Sequence, residues 1–404
     1  MFMKVGIIRE EKNPPDSRVP LTPEQCQYLM QIDQNLEIVI QSSEKRCFAD
    51  SEYQEKNISV VKDVSNCDIL LGVKEVSINS LVANKTYLFF SHTHKKQPYN
   101  RKLLQTILLK KIRLIDYECL CDVQGKRVIA FGHWAGVVGA HNAILAWGKR
   151  YQSFALQSMH QCHDFAEAKT YYNDLSLPNF KIVITGDGRV SNGAATVLDL
   201  MKIKQVSPQD FLEEKFSYPV YTKLGVKDMY AKKGEDIFNE PNYYKHPEEY
   251  DSIFEPYTKV SDMMINGIYW EKGVPTFFSE EDMKKDDFNI KVIADVTCDI
   301  APDASIPCTI RPSTIADPIY GYDPNLEKEI KPFQPQSIDI MAVDNLPNEL
   351  PRDASEDFGN QLIDRVWDEL KKPNSQMIYD ATIAINGKLN QPYEYLQDFV
   401  NFNQ

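Results

Sequence analysis

Three side chains in the first quarter of the chain have the chemistry to move protons. Lys74 and Glu75 directly follow the apolar run DILLGV (68–73), and His92 directly follows the run TYLFFS (86–91). Ionisable groups at the carboxyl ends of parallel strands project into the crevice where open α/β sheets bind ligands. A lysine buried near other cations loses pKa and becomes a proton acceptor near neutrality. A histidine does so with little tuning. Each also has an ordinary reading: a Lys-Glu dipeptide is usually a solvated edge, and His92 can be a satisfied turn residue.

A second chemistry is written in KIVITGDGRVSNGA (181–194). An apolar strand runs into Gly186-Asp187-Gly188, and Arg189 and Val190 open a helical segment. That order gives a tight turn, close backbone approach and a helix N-terminus facing an anion. The third glycine of G-x-G-x-x-G falls at Ser191, with Gly193 two residues on. Strand, turn and helix together read as a dinucleotide site, for NAD or NADP. The second strand is expected around KIKQV (202–206), whose end lacks the acid that grips an adenosine ribose; Asp210 comes late. No arginine follows to take a 2′-phosphate, so both cofactors stay open.

His92-x-His94 and Cys119-x-Cys121 share strand faces at i,i+2 spacing. Structural zinc uses wider ligand spacing, so no metal site is expected. Nothing in sequence beside either cysteine would activate a thiolate.

The elements that must position these groups alternate. VGIIR (5–9), LEIVI (36–40), DILLGV, TYLFFS and IRLID (112–116) read as strands, and TPEQCQYLMQI, capped by Thr22, as a helix. A further helix begins after Pro98. The alternation implies a parallel α/β sheet. AGVVGAHNAILAWGKRYQ (135–152) reads as a buried helix leading into a second domain. Val128–Gly148 carries no Asp, Glu, Lys or Arg and is long enough to span a bilayer, but its histidines, asparagine and glycines favour a soluble interior. Residues 207–261 turn polar and tyrosine-rich and read as an insertion. DMMINGIYW (262–270) and NIKVIADVT (289–297) return as strands, and GNQLIDRVWDELKK as a helix near the end.

The chain has 404 residues, a net charge of −13 and 43% hydrophobic residues, which suits a two-domain globular protein. The acidic balance argues against nucleic-acid binding. Eight scattered cysteines suit a reducing compartment, and the early charge at Arg9 leaves no room for a signal-peptide core. A cytoplasmic protein without membrane attachment is expected.

The segment VGIIREEKNPPDSRVPLTPEQ resembles the opening of the alanine dehydrogenase, transhydrogenase and lysine-forming saccharopine dehydrogenase superfamily. KTYLFFSHTHKKQ (85–97), IRLIDYECLCDVQGKRVIAFGHWAGVVG (112–139), MINGIYWEKGVP (264–275) and VDNLPNELPRDASEDFG (343–359) resemble its lysine–ketoglutarate reductase branch, including the reductase half of bifunctional aminoadipic semialdehyde synthases. The resemblance runs over essentially the whole chain. It implies two Rossmann-like domains with parallel sheets and an interdomain cleft: a substrate domain over 1–134, a dinucleotide domain over 135–344 and a segment 345–404 returning to the first.

The resemblance makes Lys74 the general base, His92 the general acid and Glu75 the group that tunes Lys74. Lys12, Arg18, Gln97, Arg127 and Phe131 would line the substrate, with Glu118 close by. Gly188 and Arg189 would meet the pyrophosphate. Tyr269, Asp295, Val343, Asp344, Asn345 and Leu346 would border the nicotinamide. Val190 and Ser191 stand where saccharopine dehydrogenases often have Cys-Gly. The implied reaction joins lysine and 2-oxoglutarate through an imine that NAD(P)H reduces to saccharopine. An alanine dehydrogenase-like reaction and a catalytically idle binding module of the same fold are the alternatives.

Overall fold

The computed structural model describes residues 3–234 and 238–401. Residues 235–237, within the expected insertion, and the chain ends lie outside the described residues. The chain divides into two compact units, Met1–Phe131 with Pro351–Gln404, and Gly132–Leu350.

Unit 1 holds an eight-stranded sheet in the order Lys388–Leu389, Thr382–Ile385, Arg113–Asp116, Thr86–Phe89, Ile69–Leu71, Met3–Ile7, Leu36–Gln41, Ser59–Val61. The last six are parallel, and the strand Thr382–Ile385 closes the edge antiparallel to Arg113–Asp116. From Met3–Ile7 the chain adds two strands on one side and then turns back to add three on the other. The switch lies between the carboxyl ends of Met3–Ile7 and Ile69–Leu71, the place where this architecture opens a crevice. Helix Pro23–Ile32 starts with Thr22 as cap; its hydroxyl accepts from Gln25 N while the Gln25 side chain accepts from Thr22 N, a capping box. The expected C-terminal helix occupies Pro351–Leu362 and continues through one wider π-helical turn. It packs on the first-domain core: Phe358 stacks on Phe131 with ring centroids 4.6 Å apart.

Unit 2 holds a second eight-stranded sheet, in the order Lys328–Ile330, Ile319–Asp323, Ile338–Met341, Val292–Asp295, Met263–Asn266, Lys181–Thr185, Val220–Leu224, Lys204–Gln205. The first two strands are antiparallel additions and the rest are parallel. This corrects the sequence reading on one point. The strand beside the glycine-loop strand is Val220–Leu224, whereas Lys204–Gln205 is a two-residue strand at the edge. The stretch expected as an insertion therefore supplies an integral strand, besides a small hairpin of Tyr230–Lys232 and Tyr250–Ser252.

Helix Gly132–Tyr151 is buried along most of its length. It crosses helix Arg189–Leu200 so closely that a Cβ on Gly136 would overlap the Val190 carbonyl, and one on Gly193 the His133 carbonyl. Among the described residues no helix is long and apolar enough to cross a membrane. His141, on the same helix, is a satisfied core residue between the Tyr172 hydroxyl and the Gln157 carbonyl.

Candidate active site

The crevice of unit 1 is assembled by three turns. The first follows Met3–Ile7 and carries Glu10, Lys12, Asp16 and Arg18. Glu10 accepts hydrogen bonds from the backbone N–H groups of Val73 and Lys74, at 2.6 and 2.9 Å, so it fixes the segment that presents Lys74. Burial, reinforced by the charge of Asp16, pushes the Glu10 carboxyl up to about 8. Asp16 and Arg18 form a buried bidentate pair, Nε to Oδ1 at 3.0 Å and Nη2 to Oδ2 at 2.6 Å. The Arg18 guanidinium lies 4.1 Å above the Phe131 ring.

The second turn carries Lys74 and Glu75. Burial lowers the Lys74 pKa, and the positive charges of Arg18 and Lys12 lower it further, against Asp16 and Glu75. The third turn carries His92, whose backbone is left-handed at φ +53°. Asp116, fully buried, braces that turn by accepting from the Ser91 N–H and hydroxyl. Glu75 joins the second and third turns: its Oε1 is 2.6 Å from His92 Nδ1, and its Oε2 is 3.6 Å from Lys12 Nζ. Burial opposes charge on Glu75, but the His92 hydrogen bond and Lys12 overcome it and hold the carboxyl at about 2. A carboxylate there assigns the proton to Nδ1 and leaves Nε2 to face other groups.

Farther along the same rim, Glu118 Oε1 binds Lys95 at 2.9 Å and Arg127 at 3.1 Å. Burial again works against its charge, yet these cations keep its pKa below the usual value. Gln97 accepts from the Tyr99 hydroxyl at 2.6 Å. Unit 1 thus brings Lys12, Arg18, Lys74, Glu75, His92 and Phe131 into one network of contacts and charges, with Glu118 and Arg127 paired on a second. Sequence reasoning missed Glu10 and Asp16, the acids that hold Lys74 and Arg18. The Asp16-x-Arg18 spacing was the available signal for the second.

In unit 2 the glycine loop sits at the equivalent switch point, because the chain adds Val220–Leu224 on one side of Lys181–Thr185 and Met263–Asn266 on the other. Gly186 has φ +87°, a conformation that favours glycine, and backbone and side-chain atoms surround it at 3.3 Å from any added Cβ. Gly188 caps the twelve-residue helix Arg189–Leu200 and faces open space, with nothing within 4 Å of an added Cβ. The loop therefore fits a pyrophosphate held by backbone N–H groups at a helix start. Ser191 is buried and donates to the Thr185 carbonyl at 2.9 Å, tying the helix to the strand.

Asp187 and Arg189 are exposed and Val190 half-buried. Asp295 is buried: Asn266 donates to its Oδ1, and Thr309 to its Oδ2. Burial raises its pKa against those bonds. Tyr269 is exposed, its hydroxyl donating to Glu271 at 2.6 Å. Val343 and Leu346 are buried, whereas Asp344 is exposed and Asn345 half-buried, just beyond strand Ile338–Met341.

Residues 6–138 match the family described as alanine dehydrogenase/PNT, N-terminal domain. The chain is 31% identical over 445 aligned residues to the mitochondrial alpha-aminoadipic semialdehyde synthase of Rattus norvegicus, covering 97% of this chain and 47% of that protein. It is 25% identical to the saccharopine dehydrogenase [NAD(+), L-lysine-forming] of Emericella nidulans, covering 95% and 96% of the two chains. This chain is similar to proteins named as saccharopine dehydrogenases and alpha-aminoadipic semialdehyde synthases. It spans about half the length of the synthases it matches. An L-alanine dehydrogenase structure superposes with a TM-score of 0.65 at 14% identity, over 99% of both chains, which shows a shared two-domain α/β fold. A transhydrogenase from Sinorhizobium meliloti gives 0.57 at 12% identity.

Proposed function

We propose that this chain is a nicotinamide-dependent oxidoreductase that condenses lysine with 2-oxoglutarate and reduces the product to saccharopine. The observation that carries this reading is the Lys74–Glu75–His92 arrangement: a lysine whose charged form is destabilised, adjacent in sequence to a carboxylate that holds His92 at 2.6 Å. Similarity to proteins named for saccharopine chemistry supports the substrate class.

Lys74 takes a proton from the ε-ammonium of lysine, which must be neutral to attack a ketone. His92, with Nδ1 held by Glu75, delivers a proton through Nε2 to the carbinolamine oxygen, so that water leaves and an imine forms. Glu75 stabilises the imidazolium whenever His92 carries both protons. Lys12 and Arg127, both partly exposed, offer cationic ends for substrate carboxylates. Arg18, buried with Asp16, sets the potential at Lys74 and forms one wall with Phe131. Gly186, Asp187, Gly188, Arg189 and Val190 would hold NAD or NADP, with Tyr269, Asp295 and Val343–Leu346 nearer its nicotinamide end. The bound nicotinamide supplies the hydride.

The test is oxidation of NADPH, and separately NADH, with 2-oxoglutarate plus lysine, ammonia or no amine, and with pyruvate plus ammonia as control. Lysine-dependent oxidation that disappears in Lys74→Met and falls steeply in His92→Gln is expected. Turnover only with pyruvate and ammonia would overturn the substrate assignment, and cofactor binding without any turnover would overturn the enzymatic one.

A further inference from the structure

The two i,i+2 pairs that fail as metal motifs in sequence contribute one member each to a cluster in the fold. His94, Asp116 and Cys119 each offer a ligand atom, and these atoms lie within 4.8 Å of one another. The Nδ1 of His94 is 3.9 Å from Asp116 Oδ2, is buried, and has no hydrogen-bond partner among the described residues. Tetrahedral zinc with its usual bond lengths separates its ligand atoms by roughly 3.3–3.7 Å. The three donors therefore need inward shifts of about an ångström or less.

Two further observations point to a cation. First, Asp116 is completely buried, and among the described residues its oxygens accept from the neutral donors of Ser91 and the Glu118 N–H. The ionisable nitrogen set against it is that of His94. A buried carboxylate surrounded by neutral donors gains most from a positive charge. Ser91 need not lose its hydroxyl bond when Oδ2 turns to a metal, because Thr93 Oγ1 lies 2.8 Å from the same hydroxyl. Second, the other ring nitrogen of His94, Nε2, is 3.6 Å from Glu118 Oε2, itself buried without a hydrogen-bond partner among the described residues. Metal-bound histidines commonly give their free N–H to a carboxylate, which fixes the ring and strengthens the bond. The Tyr393 hydroxyl, which donates to the Asp380 carbonyl, also lies against the Cys119 thiol.

We infer that His94 Nδ1, Asp116 Oδ2 and Cys119 Sγ form a binding site for a thiophilic divalent cation, Zn²⁺ being the best match, with Glu118 orienting the histidine and the fourth position open to water. Binding breaks no covalent bond: the thiol proton leaves to solvent as the metal–sulfur bond forms. The site uses no side chain of the Lys74–Glu75–His92 arrangement, although the charge of His92 reaches His94 and Glu118, and it shares Glu118 with Lys95 and Arg127.

Cobalt titrated into the full reduced chain, with excess reductant removed, provides the readout, since thiolate-bound Co²⁺ has a near-ultraviolet charge-transfer band and a four-coordinate site absorbs strongly in the visible. One equivalent per chain, displaced by Zn²⁺, is expected. Cys119→Ser should abolish the charge-transfer band while Cys121→Ser keeps it. His94→Gln, which keeps the thiol, should weaken binding at least about tenfold, and Glu118→Gln about 10- to 100-fold. No band in the wild-type chain, a band surviving in Cys119→Ser, or one lost in Cys121→Ser would each overturn the assignment. Circular dichroism of each variant identifies any that fail to fold, and His94→Gln then decides alone.

Discussion

Replacing Asp16 with alanine removes the carboxylate that faces a buried guanidinium, and the outcome tests how the base is tuned. Asp16 is 1% exposed and Arg18 3%, and the two share bonds of 3.0 and 2.6 Å. Removing one partner of such a pair costs about 3–5 kcal/mol, because the remaining charge stays out of water. Arg18→Met instead removes the guanidinium from the buried carboxylate, which keeps the backbone N–H of residue 18, and should cost a similar amount. Asp16→Leu combined with Arg18→Met removes both charges, and stability should return to within about 1–2 kcal/mol of the parent. Urea unfolding of the full chain measures the cycle, and hydrogen exchange assigns the loss to unit 1.

The same variants act oppositely on Lys74, since Arg18 lowers its pKa and Asp16 raises it. The pH limb on which turnover rises as the base deprotonates should move to lower pH in Asp16→Ala and to higher pH in Arg18→Met. A cost under about 1 kcal/mol for Asp16→Ala would refute the buried-pair reasoning. Limbs shifting in one direction in both variants would refute the electrostatic account of Lys74.

Glu10 provides a linkage prediction of definite sign. Its folded carboxyl, pushed up from 4.5 to about 8, binds its proton more tightly than the unfolded chain does. That stabilisation is complete below the unfolded value and is lost as pH rises through the folded one, with a ceiling of about 5 kcal/mol. Urea midpoints across this range should decline in the wild type and decline less in Glu10→Gln, which leaves one backbone N–H poorly paired; parallel slopes would contradict this. Gly193→Ala should destabilise unit 2 by about 1–3 kcal/mol or more, because its methyl overlaps the His133 carbonyl. Gly188→Ala meets open space and should leave the melting temperature unchanged while weakening cofactor binding, read by NADPH fluorescence.

The parts legible in sequence were those carried by short-range pattern. Lys74 and His92 could be placed because apolar runs end just before them, and Gly186–Gly188 because strand, turn and helix are contiguous. The strand Val220–Leu224 was not visible: VYTKL is short, partly polar, and separated from the glycine loop by two helices and a small edge strand. Its neighbours in the sheet, which no local pattern encodes, make it a strand. Asp16 and Glu10 were missed for a related reason. Glu10 acts on Val73 and Lys74, brought close by chain reversal, whereas Asp16 pairs locally with Arg18; in both cases a carboxylate in a loop gives no sign of burial. The antiparallel strand Thr382–Ile385 is likewise defined by its partner, Arg113–Asp116.

Unit 1 is written in two pieces separated by the whole of unit 2. During synthesis, Gly132–Leu350 leaves the ribosome as an uninterrupted block and can collapse by itself, whereas the sheet bearing Lys74 and His92 must wait with the Arg113–Asp116 edge bare until Thr382–Ile385 emerges. An uncovered edge is a template for pairing with another chain. Slowing translation across unit 2 should therefore raise aggregation more than slowing it after residue 385.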